Sequence, residues 1–360
     1  RLDRNSKNSG VIKFYYLIFV YVLLTFYIHS LSYEESNIFE MSKTVILIFM
    51  FFLYITFLMS KSYDYRLMID IYWAYLYINM FFFIAEYLLN RIANVQVLFP
   101  WQNSTVIYRP AGLFGEPSYY SQAFLPLFFF PNELISKRRN IFMIFATITL
   151  ILGGSLTGLY VSLLIIMKFT ISSLRSKNSL FLMLVTYTFL LLLVVTQPQI
   201  SSELLLLQST RISNIRYDPS AGIRVFKGFY VFPNIPLFNK LFGFGPIDLS
   251  VVTKAYGQNL HGYLANFELD RYSGFFYELF TYGIIGSFLL NIFIFYFIYM
   301  CVKDTNKAVM YFLVLTIYRF SETLTISNAH FYVFLTIFFI VNEYWSQRYS
   351  NVKRIEKIPI

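Results

Sequence analysis

Charged residues are scarce in this chain of 360 residues. They make up 13% of the sequence, whereas a soluble globular protein carries about 25%. Hydrophobic residues account for 57%, aromatic residues for 21%, and the mean hydropathy is +0.57. A transmembrane helix needs about 20 predominantly apolar residues, and several apolar runs reach that length. The composition therefore disfavours a soluble domain and predicts an all-α polytopic membrane protein.

The residues that build disulfide, metal and nucleotide sites are also few. Cys301 is the only cysteine, so no intrachain disulfide can form. There is no D-x-D pair and no His/Cys cluster, and Glu268 with Asp270 is the nearest approach to a metal pair. No Walker-type glycine loop or G-x-S-x-G elbow occurs. We therefore expect no metal and no cofactor, and neither a nucleotide-driven pump nor a serine hydrolase.

Apolar segments alternate with polar connections, which predicts about ten transmembrane helices. The predicted spans are 11–28, 43–60, 66–89, 118–136, 140–153, 155–171, 179–197, 274–301, 308–320 and 329–345. Every Lys/Arg cluster in a short connection falls on one side, and such clusters stay in the cytoplasm. This rule accounts for the net charge of +10 without a nucleic-acid partner, and it predicts cytoplasmic N and C termini. The first apolar run lacks a small-residue cleavage site, so we expect no cleavable signal peptide.

Two connections that face outward are long, at 90–117 and 198–273. A connection as long as 198–273 usually carries function, and the five prolines of this connection predict short helices and turns. We therefore expect one integral membrane domain over 1–360, with a large external loop between the seventh and eighth spans. Gly153 and Gly154 predict a tight turn between the fifth and sixth spans, although one long kinked helix fits the same pattern.

Three arginines lie close together in the large loop, within RISNIRYDPSAGIRVFKG at 211–228. Arg211, Arg216 and Arg224 each present a rigid fork of donors that fits phosphate oxygens and keeps its charge at neutral pH. One interpretation is a phosphate or pyrophosphate site. The other is an amphipathic helix that touches lipid head groups, although lysine would serve there equally well and only Lys227 occurs.

The stretch RPAGLFGEPSYY at 109–120 lies between two apolar segments and contains an arginine, a glutamate, two glycines and two prolines. Pro117 suits the first position of a helix, and the Glu116 carboxylate before it favours the helix dipole. These preferences explain Glu116 and Pro117 without any function, but they do not explain Arg109. A cation and an anion at a membrane mouth are costly unless they are paired or used. Arg109 and Glu116 are therefore candidate functional residues.

Polar residues gather again before the eighth span, in HGYLANFELDRYSG at 261–274. His261, Glu268, Asp270 and Tyr272 are candidates there, and an extended chain would put Glu268 and Asp270 on one face. Ahead of them, LFGFGP at 241–246 predicts a glycine turn.

Few ionisable residues fall inside the predicted spans. The main ones, most of them near the end of a span, are Asp70, Glu86, Glu278 and Arg319. A proton-coupled transporter holds more such residues near the midplane, so the sequence disfavours that class.

These motifs resemble those of the bacterial O-antigen and capsule repeat-unit polymerases of the Wzy type, which are related to the O-antigen ligases. The stretch at 109–118 is similar to the arginine ahead of a Glu-Pro-Ser helix start in those enzymes. Arg211, ten further residues and Gly222, with Arg224 after it, resemble the R-x10-G element of their large external loop.

Two later segments continue the resemblance in the same order. LFGFGP at 241–246 and YGIIG at 282–286 match the segments that follow the R-x10-G element in the polymerases. The likeness covers roughly residues 105–290. Each motif alone has little specificity, so the order of the set and its outward placement carry the resemblance.

The resemblance implies a multi-spanning glycosyltransferase of the GT-C type in the bacterial inner (plasma) membrane, with its active site on the periplasmic or extracytoplasmic side. The implied donor is a growing glycan on undecaprenyl pyrophosphate, and the acceptor is one lipid-linked repeat unit. The product is the O-antigen of lipopolysaccharide or a capsular polysaccharide. Membrane lipid, a chain-length regulator and a flippase are the implied partners.

The same resemblance assigns roles to the candidate residues. Arg211 and Arg224 would neutralise the departing pyrophosphate by fixed electrostatic stabilisation in place of a metal. Arg216 would assist them, and Arg109 with Glu116 would shape the floor of the pocket.

The acceptor hydroxyl needs a base or an orienting hydrogen-bond acceptor. The candidates from the residues are His261, Asp270, Glu268 and Glu116, and we favour His261. Ligases carry a histidine about eleven residues before the G-I-I-G segment, and Tyr272 stands there in this chain. A neutral tyrosine with a pKa around 10 is a poor base at neutral pH, so we expect Tyr272 to contact the glycan instead.

Two alternatives to polymerisation stay open at this stage. An O-antigen ligase would move the glycan to another acceptor, although Tyr272 in place of the ligase histidine weakens that interpretation. A lipid-linked oligosaccharide flippase or exporter would move its substrate without forming a bond. The large external loop and the basic residues gathered in it disfavour the flippase.

Overall fold

A computed structural model describes residues 13, 16–27, 45–46, 49–50, 53–54, 65–93, 110–114, 116–130, 137–173, 227–245, 249–257, 272–321, 331 and 333–343. The regular elements among these residues are helices. In chain order they are α1 Tyr16–Tyr27, α2 Tyr65–Ala93, α3 Pro117–Phe124, α4 Lys137–Leu152, α5 Leu156–Ser173, α6 Lys227–Val231, α7 Leu237–Phe242, α8 Leu249–Tyr256, α9 Gly274–Val302, α10 Thr305–Ser321 and α11 Val333–Glu343. The predicted all-α class is confirmed for the described part of the chain.

The chain divides into two compact units. The first unit comprises Arg1–Tyr63 and Ile215–Thr336, and it holds α1 and α6 to α10. The second unit comprises Asp64–Asn214 and Ile337–Ile360, and it holds α2 to α5. Each unit contains one part of the motif set: 109–118 belongs to the second unit, and 241–246 with 282–286 belongs to the first.

Among the residues that the structure describes, two helices are long and apolar enough to cross a membrane, Tyr65–Asn90 and Gly274–Val302. The second has 29 residues, and at 1.5 Å per residue it extends about 44 Å, which exceeds the roughly 30 Å of a hydrocarbon core. Shorter apolar helices lie at Tyr16–Tyr27, Ile141–Leu152, Thr157–Lys168 and Val333–Glu343. The third and eighth predicted spans thus coincide with long apolar helices, while the set of ten spans stays a prediction.

The predicted fourth span, 118–136, begins with a short helix. α3 ends at Phe124 and is followed by a 3₁₀ helix over Leu125–Phe129. Pro126 has no N–H to donate to the Gln122 carbonyl, and its ring would clash with that carbonyl, so an α-helix does not continue through it. The residues from 120 to 130 are nevertheless all buried, so this segment belongs to the core of the second unit.

Aromatic rings and one lysine hold this segment against its neighbours. Trp73 of α2 stands edge-on to Phe130 and to Phe142 of α4, with ring centroids 5.7 and 5.4 Å apart. Beyond the 3₁₀ helix, the Lys168 ammonium of α5 donates to the carbonyls of Phe128 and Phe130. Carbonyls at a helix end are left without intrahelical partners, and Lys168 supplies donors to them inside the core.

α4 and α5 are joined by a tight turn at Gly153 and Gly154, followed by Ser155. The Ser155 hydroxyl accepts a hydrogen bond from the Gly158 N–H at 2.8 Å, which caps the start of α5. The predicted turn is confirmed, and the alternative of one long kinked helix is wrong.

In the first unit, α9 and α10 form a hairpin with a very short connection. Lys303 adopts a left-handed conformation with φ 57°, and its N–H donates to the Tyr299 carbonyl at 2.8 Å, which ends α9. The Asp304 carboxylate then accepts from the Lys307 N–H at 3.1 Å and caps α10. Because the two helices run back to back, the start of α9 lies beside the end of α10.

Candidate functional site

Helix α9 is broken at Gly283, which has φ 68° and ψ −178° instead of helical angles. The break frees carbonyls in the preceding turn, and the glycine turn predicted at 241–246 supplies their donors. The Phe244 N–H donates to the Phe280 carbonyl at 2.7 Å, and the Gly245 N–H donates to the Thr281 carbonyl at 3.0 Å. The turn therefore completes the backbone hydrogen bonding of the broken helix.

A third donor comes from α1. The Tyr21 hydroxyl donates to the Tyr282 carbonyl at 3.0 Å. In apolar surroundings a carbonyl without a donor costs several kcal/mol. The three bonds together are what make a break in a long apolar helix tolerable.

The two backbones approach each other too closely for a side chain on either. A Cβ atom on Gly243, which has φ 81°, would lie 2.4 Å from the Thr281 carbonyl oxygen. A Cβ atom on Gly283 would lie 2.3 Å from the Leu241 carbonyl oxygen and 2.4 Å from the Gly243 nitrogen. The LFGFGP and YGIIG segments thus form one structure, which we call the glycine joint and define as residues 241–245 with 280–283.

A polar cluster lies next to the glycine joint and consists of Lys227, Thr253 and Tyr272. The hydroxyl oxygens of Thr253 and Tyr272 are 2.5 Å apart and share a hydrogen bond. The Lys227 ammonium lies 4.3 Å from the centroid of the Tyr272 ring, a distance typical of a cation–π contact. All three residues are buried. Lys227, at the first residue of α6, is thereby fixed to Tyr272, which directly precedes the N-cap of α9.

The cluster sits against an apolar core of the first unit. Besides Tyr272, the buried members of this apolar core are Val231, Ile235, Phe244, Leu249, Val252, Phe276 and Phe280. Burial raises the pKa of Tyr272 above its ordinary value of 10, and the hydrogen bond with Thr253 only partly opposes this. Tyr272 is therefore neutral at physiological pH, in agreement with the expectation that it is not a base.

The anchored lysine fixes one end of the arginine-rich stretch. Lys227 follows Arg224 by three residues, and Gly228 after it packs so closely on Phe276 that an added Cβ would lie 2.3 Å from the ring. In the sequence, Lys227 is distinguished only as the single lysine of this stretch. Its partner Tyr272 lies 45 residues further along the chain, and no local pattern connects the two.

In the second unit, the RPAGLFGEPS stretch docks onto a buried carboxylate of α2. Glu86 accepts hydrogen bonds from the N–H groups of Ala111 at 3.1 Å and Gly112 at 3.0 Å. Gly112 has φ 62°, and an added Cβ would lie 2.9 Å from the Asn79 carbonyl oxygen. Glu86 was predicted only as an ionisable residue within a span. The structure makes it the anchor of the loop that follows Arg109.

Glu116 occupies the N-cap position of α3, with Pro117 as the first helical residue. The predicted helix start is therefore confirmed. Glu116 makes no side-chain hydrogen bond to the helix backbone, and one carboxylate oxygen accepts from the Ser118 hydroxyl at 3.2 Å. Glu116 is half-buried. The assigned role of Glu116 in catalysis stays a prediction.

Gln122, one turn after Ser118 on α3, is 4% exposed, and neither polar atom of its amide has a hydrogen-bond partner in the described structure. The neighbouring Ala123 carbonyl, by contrast, accepts from the Tyr72 hydroxyl at 2.7 Å. A buried polar group without a partner destabilises a protein by about 1–3 kcal/mol. Sequence patterns gave no indication of this residue.

Two of the ionisable residues found within predicted spans form a buried ion pair. Arg319 of α10 donates to the Glu278 carboxylate of α9, and its other terminal nitrogen donates to the Asn291 side-chain oxygen at 2.9 Å. Glu278 lies in the part of α9 that precedes the break. The pair therefore ties this part of α9 to α10.

Most of the predicted site lies outside the described residues. This applies to Arg109, Arg211, Arg216, Arg224, His261, Glu268 and Asp270, whose roles stay predictions. The predicted contact of Tyr272 with glycan also stays a prediction, and its ring is buried here. Within the described part of the chain, no three His, Cys, Asp or Glu side chains are grouped so as to hold a metal ion.

In comparisons with known proteins, no protein family, no curated protein and no solved structure matches this chain. The function is therefore argued from the residues and their geometry.

Proposed function

We propose that this chain is an integral membrane glycosyltransferase with about ten spans, which joins undecaprenyl-pyrophosphate-linked oligosaccharide repeat units on the outer side of the bacterial inner membrane. The observation that carries the proposal is the glycine joint. Two segments matched to the repeat-unit polymerases by motif order alone, with glycines forty residues apart at 243 and 283, are in direct backbone contact. A chance likeness of two short glycine segments gives no reason for them to meet.

The anchoring of the large predicted loop is a second support. Lys227 and Tyr272 bracket most of this loop and contact each other, and Tyr272 adjoins the start of α9. The arginine-rich stretch at 211–224 therefore leads directly into a buried anchor at the end of a candidate membrane helix. Groups that bind a substrate work best when rigid elements support them.

The proposed reaction needs no metal. An acceptor hydroxyl oxygen attacks the anomeric carbon of the donor sugar, and the bond from this carbon to the pyrophosphate oxygen breaks. The electron pair leaves with the pyrophosphate, whose charge Arg211 and Arg224 neutralise, with Arg216 in support. The hydroxyl proton passes to a base, for which we propose His261. Arg109 and Glu116 are the further residues that we propose for substrate binding and catalysis, and Glu86 holds the segment between them at Ala111 and Gly112.

The test is an extension assay with purified protein in nanodiscs. Polyprenyl-pyrophosphate-linked repeat units are added with a chelator and without nucleotide, and the products are resolved on a gel. We expect a ladder with steps of one repeat unit. Arg211→Ala and Arg224→Ala should each slow turnover by about 100-fold or more, since removal of one transition-state donor costs about that much.

Lys254→Ala is the matched control, because Lys254 is an exposed cation of the same loop outside the arginine-rich stretch. It should leave the ladder unchanged. Arg224→Lys keeps the charge but loses the fork, so a partial loss would show that the donor geometry matters. Intact substrate with folded wild-type protein would refute the proposal. Transfer of the glycan to a different acceptor in one step would instead favour a ligase.

A further inference from the structure

Large apolar side chains project outward from two short helices of the predicted external loop. On α6, Phe229 is 54% exposed and Tyr230 is 52% exposed; on α7, Leu237 is 71% exposed and Phe238 is 50% exposed. Two short helices with eleven residues in all therefore expose four large apolar side chains, an unusually apolar surface for a loop in water. Grouped exposed apolar side chains of this kind mark contact with a membrane or a partner.

The glycine joint fixes the depth of these helices relative to α9. Thr281 follows Gly274, the first residue of α9, by seven residues, which corresponds to about 10 Å along a helix. If α9 spans the membrane symmetrically, about 7 Å of its length lies outside the roughly 30 Å hydrocarbon core at each end. The end of α7 and the turn at 243–245 therefore lie at or below the edge of the hydrocarbon.

The polar groups of this segment meet the requirements for that position. Residues 243–245 are buried, and their N–H groups at Phe244 and Gly245 donate to α9. The Asn239 amide donates to the Gly243 carbonyl at 3.3 Å, and the Lys240 ammonium donates to the Pro233 carbonyl at 2.7 Å. Irregular backbone is tolerated at membrane depth only where protein covers it, and residues 243–245 are covered by the protein.

The surroundings at this depth are apolar as well. Beyond the break, the exposed side chains of α9 include Ile284, Ile285, Phe288 and Ile292. Lipid acyl chains are the partner that such a surface fits when the helix spans a membrane. The C-terminal end of α7 lies at this level of α9, since Leu241 and Gly243 approach the backbone of Thr281 and Gly283.

We infer that α6, α7 and the turn at 243–245 form an element embedded in the outer leaflet, with Leu237 and Phe238 of α7 in contact with the acyl chains of the bilayer. Phe229 packs on Phe276 near the start of α9, so the exposed rings of α6 lie at the outer edge of the hydrocarbon. The element is part of the membrane domain, whereas the sequence predicted that all of 198–273 is an external loop. The inference rests on α9 spanning the membrane and does not depend on the proposed chemistry.

The test measures the depth of single labelled positions in liposomes. Cys301, the only cysteine, is replaced by Ser, and one cysteine is placed at Leu237 or Phe238 and labelled with a nitrobenzoxadiazole fluorophore. Lys254→Cys is the matched control, because an exposed lysine of the same unit keeps its ammonium at the head groups or in water. Quenching by doxyl groups on lipid acyl chains is compared with quenching by aqueous iodide.

We expect acyl-chain doxyl groups to quench positions 237 and 238, and iodide to have no effect there. At position 254 iodide should quench. Iodide quenching at 237 and 238 equal to that at 254 would overturn the inference. Protection from both quenchers would also overturn it, because a protein surface such as a second copy of the chain would then cover the patch. Size-exclusion profiles and circular dichroism identical to those of the Cys301→Ser parent exclude misfolding.

Discussion

The glycine joint predicts a large and specific effect for Gly283→Ala. The new Cβ would lie 2.3 Å from the Leu241 carbonyl oxygen and 2.4 Å from the Gly243 nitrogen, and neither backbone atom can move aside as a flexible side chain would. The conformation at φ 68° and ψ −178° is also one that only glycine adopts readily. Holding alanine there costs about 1–3 kcal/mol.

The steric clash adds a second contribution. Pushing the turn away breaks the hydrogen bonds from Phe244 to Phe280 and from Gly245 to Thr281, each of which contributes about 0.5–1.5 kcal/mol. The sum is about 2–6 kcal/mol, a large part of the roughly 5–15 kcal/mol by which proteins are stable. At about 2–4 °C per kcal/mol for larger domains, the midpoint of thermal unfolding should fall by roughly 10 °C.

The assay is thermal unfolding of the purified protein in nanodiscs, followed by size-exclusion chromatography of the folded fraction. Gly153→Ala is the matched control, because its new Cβ would find its nearest neighbours at 3.5–3.6 Å, an ordinary contact. Gly243→Ala should match Gly283→Ala, and the double variant should fall well short of the sum, because both act on one joint. A midpoint for Gly283→Ala within the scatter of Gly153→Ala would refute the joint.

Three further predictions concern other described residues. Glu278→Leu or Arg319→Met alone should lower the free energy of unfolding by about 3–5 kcal/mol, because each single change leaves a buried charge unpaired, whereas the double variant should be near neutral. Denaturant unfolding compares the three variants, and a double variant as unstable as the single variants would contradict the pairing. Gln122→Leu should raise the free energy of unfolding by about 1–3 kcal/mol, because it removes two buried polar atoms that have no hydrogen-bond partner among the described residues. A loss of stability in the same measurement would show that the amide is satisfied. Tyr272→Phe should leave the pH–rate profile unchanged from about pH 6 to about pH 9, because burial raises the pKa of Tyr272. The stability linked to its proton is lost only as the pH rises above the pKa of the unfolded state, which is near 10. A lost or shifted limb of the profile within that range would identify Tyr272 as the titrating group.

Local features of this fold could be predicted from the sequence because they depend on neighbouring residues. The structure places α2 at Tyr65–Ala93 and α9 at Gly274–Val302, within a few residues of the predicted spans, since long apolar runs define both. The helix start at Pro117 and the turn at Gly153 followed the known preferences of proline and glycine. The short helices of 227–257 agree with the proline-broken pattern.

The contacts that build the candidate site join distant parts of the chain and were not predicted. Glu86 binds the backbone of residues 25 and 26 positions later, and Glu278 pairs with Arg319 across the α9–α10 hairpin. A sequence pattern supplies residue types but not partners. One indication of the Glu278–Arg319 pair was present in the sequence. The two opposite charges lie near the predicted outward ends of the eighth and ninth spans, and an antiparallel hairpin of these spans brings them together.

The pair of glycines at 243 and 283 also shows how geometry separates two explanations of one residue type. A turn needs a glycine at 243, where φ is 81°, and that explanation would suffice without any contact. It does not explain Gly283, since glycine inside a helix costs about 1 kcal/mol relative to alanine. The 2.3 Å approach to the Leu241 carbonyl explains both glycines at once. Residues 241–245 and α9 therefore fix each other's backbone, and Lys227, where α6 begins, is held beside the start of α9 by Tyr272.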